Sequence, residues 1–418
     1  MVGNIFSKAL VVSLRLFSRT PISSPETVTT LEDIQNHALT NAYKVLDGTL
    51  SDGLTRSPNT SCTKATLAIR KELSFLPPFP PPTPTNPQPS GDLTPSERKA
   101  YTTAVTCLLT SPSKLPPTTY PGAKSRYDDF TVVHMNMTPT VHSTANFLHW
   151  HRYFIWAYES ALRTECAYTG YQPYWNWARY PDLVHSPMYA ADEYSMGGNG
   201  DAVGPHANLT LGPGQTLPAG PGGGCVTTGP FANLTIHLGP VFPTVDAKFN
   251  IPANPLATGY GDNPRCLRRD VSNFLPQKYL TPDRLVRHVT SNTDIRGFQH
   301  SLQLNVTDTF AALHVAGHYS VWGDPGGDVF VSPGDPVFWL HHAQVDRHWW
   351  MWALWDEAEV GRRTGMYDGG TNWFDPNSRK GAPEDEQELG VVAPEGMNNL
   401  KANDLFSTTA GPFCYVYV

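Results

Sequence analysis

Six of the fifteen histidines in this 418-residue chain fall into two sets with metal-ligand spacing, and no other feature constrains the fold as tightly. The first set is His134, His142 and His151. The second is His314 and His318 in Leu313-His-Val-Ala-Gly-His-Tyr319, then His342 in Asp335-Pro-Val-Phe-Trp-Leu-His-His-Ala-Gln-Val-Asp-Arg347. Both sets lie on stretches with helical patterning, and one large domain must bring them together. His314 and His318 are four residues apart, which stacks their rings on one helix face within reach of a single ion. Neutral imidazole suits copper, zinc, iron and nickel alike. Two equal sets of three, with no thiolate or carboxylate among them, favour a pair of copper ions with open positions between them, an arrangement suited to binding dioxygen.

Plainer readings compete with this one. Zinc proteases share the spacing of His314 and His318 but place a Glu directly after the first histidine as base; here that position is Val315. Two core histidines with satisfied hydrogen bonds would account for one such pair, but less readily for two complete sets. Spacing alone leaves one choice open. His341 and His342 are adjacent and point about 100° apart on a helix, so only one can face a shared ion. His149 and His151 pose a similar choice, and the apolar stripe of Phe154, Ile155, Tyr158 and Leu162 below His151 favours it as the inward-facing one. Phe338 and Asp346 share the stripe of His342, and a carboxylate one turn away could orient a ligand ring.

Composition excludes several classes. Charged residues make up 16% of the chain, below the roughly 25% of ordinary globular proteins, and the formal charge is −7. No basic run is present, so nucleic acid is not an expected partner. No stretch of 18 apolar residues occurs, so no membrane-spanning segment is expected. Eleven Trp and eighteen Tyr point to an aromatic core. The six cysteines (Cys62, Cys107, Cys166, Cys225, Cys266, Cys414) show no CxxC spacing, which fits three disulfides of unspecified pairing. With Asn-x-Ser/Thr sequons at Asn59, Asn136, Asn208, Asn233 and Asn305, they favour a glycosylated, secreted product. Residues 5–17 resemble the apolar part of a signal peptide, interrupted by Lys8 and Arg15.

Residues 1–25 are therefore read as a leader or degraded signal segment and 26–418 as one catalytic domain with its core at 60–418. Helical patterning covers 30–47, 66–76, 94–109, 125–137, 144–164, 282–290, 307–320 and 336–358. Asp335-Pro336 is a natural helix start. Pro77 to Pro89 reads as a loop or polyproline stretch, and 190–265 as a long Gly- and Pro-rich excursion. The end, Phe413-Cys-Tyr-Val-Tyr-Val418, reads as a short strand.

Phe147-Leu-His-Trp-His-Arg-Tyr153 resembles the first copper signature of tyrosinases and catechol oxidases, and Asp335 to Arg347 resembles the second. The resemblance runs from residue 60 to the C-terminus and is nearest to short fungal members without a C-terminal lid domain. It implies a mainly α fold, a four-helix bundle around a dicopper centre with long loops and little β-sheet. It also implies that His134, His142 and His151 hold one copper and His314, His318 and His342 the other, because the family uses the second histidine of the His-His pair. Phe338 matches a phenylalanine that packs among the imidazoles. The implied reaction is oxidation of o-diphenols to o-quinones with O2 reduced to water, on small phenolic substrates.

Departures from the family pattern refine that expectation. Many fungal tyrosinases carry a cysteine two residues before the middle ligand, cross-linked to a histidine ring; here that position is Thr140, which cannot form a thioether. Members that hydroxylate tyrosine well often have Asn after the first ligand of the second copper and an upstream Glu that holds a basic water. Here Val315 stands at the first position, and 299–313 contain no Glu, with Gln303 and Asp308 the nearest polar candidates. Weak or no monophenol hydroxylation is therefore expected. The family gate, thirteen residues before the last ligand, falls on Val329, a small side chain that implies an open entrance unless it is ordinary loop packing. The family's Tyr-x-Tyr strand matches Tyr415-Val-Tyr417, and Arg70 sits where the family places the arginine that pairs with it; the alternative for Arg70 is a solvated helix residue. The competing functions are an oxidase of o-aminophenols or secondary-metabolite phenols and a haemocyanin-like oxygen carrier, which shields its copper with an extra domain not seen after Val418.

Overall fold

The structure, a computed structural model, describes residues 30–54, 61–73, 92–212, 215–242, 250–303 and 312–418. The leader, the proline-rich stretch 77–89, Asn59, Asn305 and Asp308 lie outside the described residues.

Local capping chemistry sets the first three helices. In α1 (Leu31–Leu46) the Thr30 hydroxyl accepts the Asp33 N–H while the Asp33 carboxylate accepts the Thr30 N–H. The same reciprocal box opens α2 (Pro95–Thr110) at Thr94 and Glu97, and α3 (Arg126–Val141) at Ser125 and Asp128. Each such cap contributes about 1 kcal/mol. Then follow α4 (Phe147–Glu165), α5 (Phe274–Tyr279), α6 (Pro282–Ser291), α7 (Ile295–Gln303), α8 (Leu313–Val321), α9 (Val337–Leu354) and α10 (Val360–Thr364). At the start of α9, Asp335 accepts the Val337 N–H at 3.0 Å and is clamped by both arms of Arg269, at 2.8 and 2.7 Å.

Sheet is sparse. Among the described residues the strands are β1 (Ala68–Arg70), β2 (Leu209–Gly212), β3 (Gln215–Leu217), β4 (Thr235–Ile236), β5 (Arg265–Cys266), β6 (Arg268–Arg269), β7 (Gly323–Asp324) and β8 (Tyr415–Tyr417), joined there in two-stranded pairs. Residues 66–76, expected as a helix, instead contain β1, which pairs in parallel with β8 from Ala68 opposite Tyr415 to Arg70 opposite Tyr417. The partner strand, far away in sequence, overrides a weak local periodicity. The six cysteines form Cys62–Cys414, Cys107–Cys166 and Cys225–Cys266. The first fastens the approach to β1 beside β8, and the second joins α2 to the end of α4. No helix among the described residues is long and apolar enough to cross a membrane.

The core is aromatic. Trp339 of α9 stacks on Tyr158 of α4 with ring centroids 3.7 Å apart and planes 1° from parallel, and Phe130 of α3 meets both edge-on. Its indole N–H donates to the Tyr127 hydroxyl at 2.9 Å, which donates in turn to the Pro333 carbonyl at 2.6 Å. Such pairs contribute about 0.5–1.5 kcal/mol each beyond the area they bury, and here they lock α3, α4 and α9 into one register. Together with α8, these helices form the bundle that carries both histidine sets.

Arg70 is a core residue. It is fully buried, with its guanidinium 3.6 Å from the Tyr415 ring centre, Nη1 3.0 Å from the Tyr417 hydroxyl, and an ion pair to Glu159 at 3.0 Å. The contact expected between Arg70 and the Tyr-x-Tyr strand is therefore present, and the solvated alternative is not. Of the sequons, Asn208 and Asn233 are exposed on loops. Asn136 lies within α3 and accepts the Tyr260 hydroxyl, while its Thr138 is buried and back-bonds to the His134 carbonyl at 2.7 Å.

Candidate metal centre

A sharp corner between α3 and α4 assembles the first set. His134 lies two turns before the end of α3, His142 is the extended residue just past it, and His151 is one turn into α4. Ser143 turns the chain with φ of 52°, and the Gln303 side chain holds its N–H at 2.8 Å. Each ring is anchored through Nδ1: His134 to the Phe330 carbonyl at 3.0 Å, His142 to the Thr138 carbonyl at 3.1 Å, and His151 to the Phe147 carbonyl at 2.7 Å. A carbonyl only accepts, so Nδ1 carries the proton and Nε2 presents a lone pair inward. Nε2 of His134 and of His151 is buried with no protein partner. Buried polar atoms are rarely left alone, and a metal is the group that three convergent imidazole nitrogens fit.

The second set converges through the same atoms. Nε2 of His318 lies 3.1 Å from Nε2 of His314 and 3.1 Å from Nε2 of His342. His314 and His318 stand on successive turns of α8, and His342 enters from α9. In each set the ligand-type atoms lie within 4.8 Å of one another, and the second also includes His341. Both clusters consist of histidine only, as the sequence implied.

The sets face each other. His151 stacks on His342 at 4.4 Å with planes 12° apart, and Phe338 touches one ring of each set, 5.2 Å from that of His134 and 4.2 Å from that of His342. Burial pushes His142 down to about 4 and His318 to about 3, and burial with neighbouring imidazoles holds His134, His151, His314 and His342 well below the usual histidine range. All six are neutral, the form that binds a metal.

The neighbouring histidines are held elsewhere. Nδ1 of His341 takes the Trp177 indole N–H at 3.2 Å, and its ring fills the space beside Gly317, where a Cβ would come within 2.1 Å. Gly317 therefore lies between His314 and His318 because another imidazole occupies the place of its side chain. His149 is boxed edge-on by Trp349, Tyr367 and Phe406. Asp346 corrects an expectation: rather than orienting His342, its carboxylate accepts Arg152 at 2.6 Å and the Tyr415 and Tyr417 hydroxyls at 2.7 and 2.6 Å. Nδ1 of His342 has no hydrogen-bond partner. Asp346 sits one turn along α9 but is turned toward the closing strand by three donors.

Val315 is half-buried on α8 next to His314. Val329 is half-buried in the turn whose next residue, Phe330, anchors His134. Gln303 braces the corner beside His142. Sequence reasoning missed Trp373, whose ring lies 6.1 Å from that of His142, and Trp177. Neither has any spacing relation to the histidines.

Comparison with known proteins agrees with this geometry. Residues 124–354, which include both sets, match the family model described as the common central domain of tyrosinase. Tyrosinase P of Aspergillus terreus is 36% identical over 344 residues, 78% of this chain and 90% of that protein. N-acetyl-6-hydroxytryptophan oxidase of Emericella nidulans is 36% identical over 339 residues, again 78% of this chain and 90% of the relative. Among solved structures, a polyphenol oxidase from Thermothelomyces thermophila superimposes with a TM-score of 0.79 at 34% identity, covering 94% of this chain and 100% of that one.

Proposed function

This chain belongs to the tyrosinase family and is a type 3 copper oxidase, and from that premise we propose that it oxidises o-diphenols to o-quinones at copper held by His134, His142 and His151 and by His314, His318 and His342. The observation that carries the reading is the inward convergence of Nε2 atoms in two facing sets, with each ring of the first set pinned through Nδ1. A copper pair held there would supply the redox chemistry by which two diphenols give up two electrons and two protons each, reducing one dioxygen to two waters. The protein supplies the rest: fixed rings, a shaped pocket and exclusion of bulk water.

The chain's own residues favour diphenols over monophenols. A catechol brings two acidic hydroxyls to the centre, whereas a monophenol must first lose its proton to a base near the metal. Val315 offers no hydrogen bond to a water at that position, and the Gln303 side-chain oxygen is occupied by the Ser143 N–H. Phe338 touches both sets, and Val329, beside the His134 anchor, is a small gate. An oxidase of o-aminophenols or secondary-metabolite phenols is the second reading, supported by the likeness to N-acetyl-6-hydroxytryptophan oxidase. The three disulfides fit an oxidising, secretory destination.

Copper-loaded protein should turn catechol into a quinone, followed by visible absorbance and by oxygen uptake. Copper binding without turnover of any mono- or diphenol would defeat the oxidase reading and favour a carrier. Turnover confined to an o-aminophenol would favour the second reading.

A further inference from the structure

Trp373 and Phe374 belong to neither histidine set, yet they border one. The Trp373 ring lies 6.1 Å from that of His142 at 48°, and Phe374 stacks on Trp373 at 5.2 Å with planes 18° apart. Trp373 is half-buried, and Phe374 is 62% exposed. A single exposed phenylalanine needs no explanation, but a stacked pair continuous with a buried centre is an apolar surface with a direction.

The loop that carries the pair is fixed in place. Trp373 donates its backbone N–H to the Pro139 carbonyl in the last turn of α3 at 2.7 Å, and the Gly370 carbonyl accepts the Ala145 N–H at 2.9 Å just before α4. Gly369 has φ of +146°, and a Cβ there would lie 2.7 Å from the Ala145 nitrogen, so only glycine permits so close an approach. Ser378 accepts the Thr371 and Asn372 N–H groups, each at 3.2 Å. The shelf is thus built on the same corner that sets His142.

His142, which borders the pair, is the least buried member of its set. His142 keeps 5% of its surface exposed, against 0% for His134 and 1% for His151. Arg379 on the loop is paired with Asp385 at 2.9 Å and Lys380 with Asp368 at 3.7 Å. The loop offers ring surface.

We propose that Trp373 and Phe374 form an aromatic shelf that binds the second ring of an extended diphenol, an aryl-substituted catechol or a fused-ring diol, whose diol end reaches the histidine centre. The proposal rests on the oxidase reading above and names the class of substrate it acts on. Offset or edge-on stacking on two rings improves binding of such a substrate about three- to tenfold over a single-ring catechol.

The test compares 4-phenylcatechol with catechol in wild-type, Phe374→Ser and Trp373→Leu enzymes, with copper content measured for each. The shelf predicts that the ratio of kcat/KM for 4-phenylcatechol over catechol falls about three- to tenfold in either variant, through KM rather than kcat. Binding of 2,3-dihydroxynaphthalene measured without oxygen, by calorimetry, supplies a readout that needs no turnover, and its Kd should rise by the same factor. An unchanged ratio together with an unchanged Kd overturns the shelf, even if both diphenols are oxidised. Wild-type enzyme that oxidises neither diphenol sinks the oxidase reading instead, and the Kd then decides the shelf separately.

Discussion

Trp177 donates its indole N–H to Nδ1 of His341 across 3.2 Å. An indole nitrogen can only donate, so His341 accepts there, and a neutral ring then carries its proton on Nε2. No lone pair remains on His341 for a metal. Its neighbour His342 instead aims Nε2 at His318 from 3.1 Å. Within the pair, this hydrogen bond from a tryptophan distant in sequence favours His342 as the ligand.

Replacing His342 by Ala should lower copper from two ions per chain toward one, because it removes one of three imidazoles from the second set. His341→Gln should keep both ions, since it alters only the back of the site. Metal analysis of the two purified variants decides the matter. Full copper in His342→Ala and loss in His341→Gln would reverse the assignment.

Arg70 joins β1 to β8 through Tyr415 and Tyr417 while neutralising Glu159 and Asp346 in the core. Arg70→Ala, which strands the buried Glu159 whereas Asp346 keeps Arg152, costs about 3–5 kcal/mol. The melting temperature should drop by many degrees, and Arg70→Lys, which keeps the charge but loses the flat ring contact, should recover only part of the loss. An unchanged melting temperature in Arg70→Ala would show that the network is dispensable.

Much of the bundle was legible because its signals are local. Asp335-Pro336 and the two histidine sets announce a helix start and inward faces within a few residues, and α3, α4, α8 and α9 fall where those signals lie. What could not be read depends on distant partners. Ala68–Arg70 becomes a strand only because Tyr415–Tyr417 lies beside it. Asp346 shares the stripe of His342, but Arg152 from α4 and two hydroxyls from β8 turn it away. Trp177 and Trp373 reach the site from loops, where no periodicity marks a side chain as inward.

Away from the metal centre, Nε2 of His348 lies 3.0 Å from Nδ1 of His288, whose Nε2 lies 3.0 Å from the Ser301 hydroxyl. Burial pushes His288 down to about 3 and His348 well below its usual range. In the unfolded chain both titrate near about 6.5, so below that pH the unfolded state binds more protons. Their contribution to stability is therefore fully present above about 6.5 and is lost progressively as the pH falls toward 3. The melting temperature of metal-free protein should fall on acidification, and His288→Gln should flatten that fall by up to about 1.4 kcal/mol per pH unit. Equal acid slopes in the two proteins would remove the pair as a source of acid sensitivity.

Diphenol oxidation should far outrun tyrosine hydroxylation. Val315 is half-buried on α8 directly after His314, where a polar side chain could hold a water against an incoming phenol. Its two methyl groups cannot, and the two histidine clusters contain no carboxylate to act as base. Catechols should therefore be good substrates, small phenols weak ones admitted past Val329, and L-tyrosine very poor. Val315→Asn places an amide next to His314 and should raise the ratio of monophenol to diphenol activity several-fold, a gain of about 1 kcal/mol in the deprotonation step if the amide orients one water. Oxygen uptake on paired substrates, L-tyrosine against L-DOPA and phenol against catechol, measures that ratio in both proteins. Comparable turnover of L-tyrosine and L-DOPA by the unmodified enzyme would show that the apolar side chain at position 315 does not limit hydroxylation.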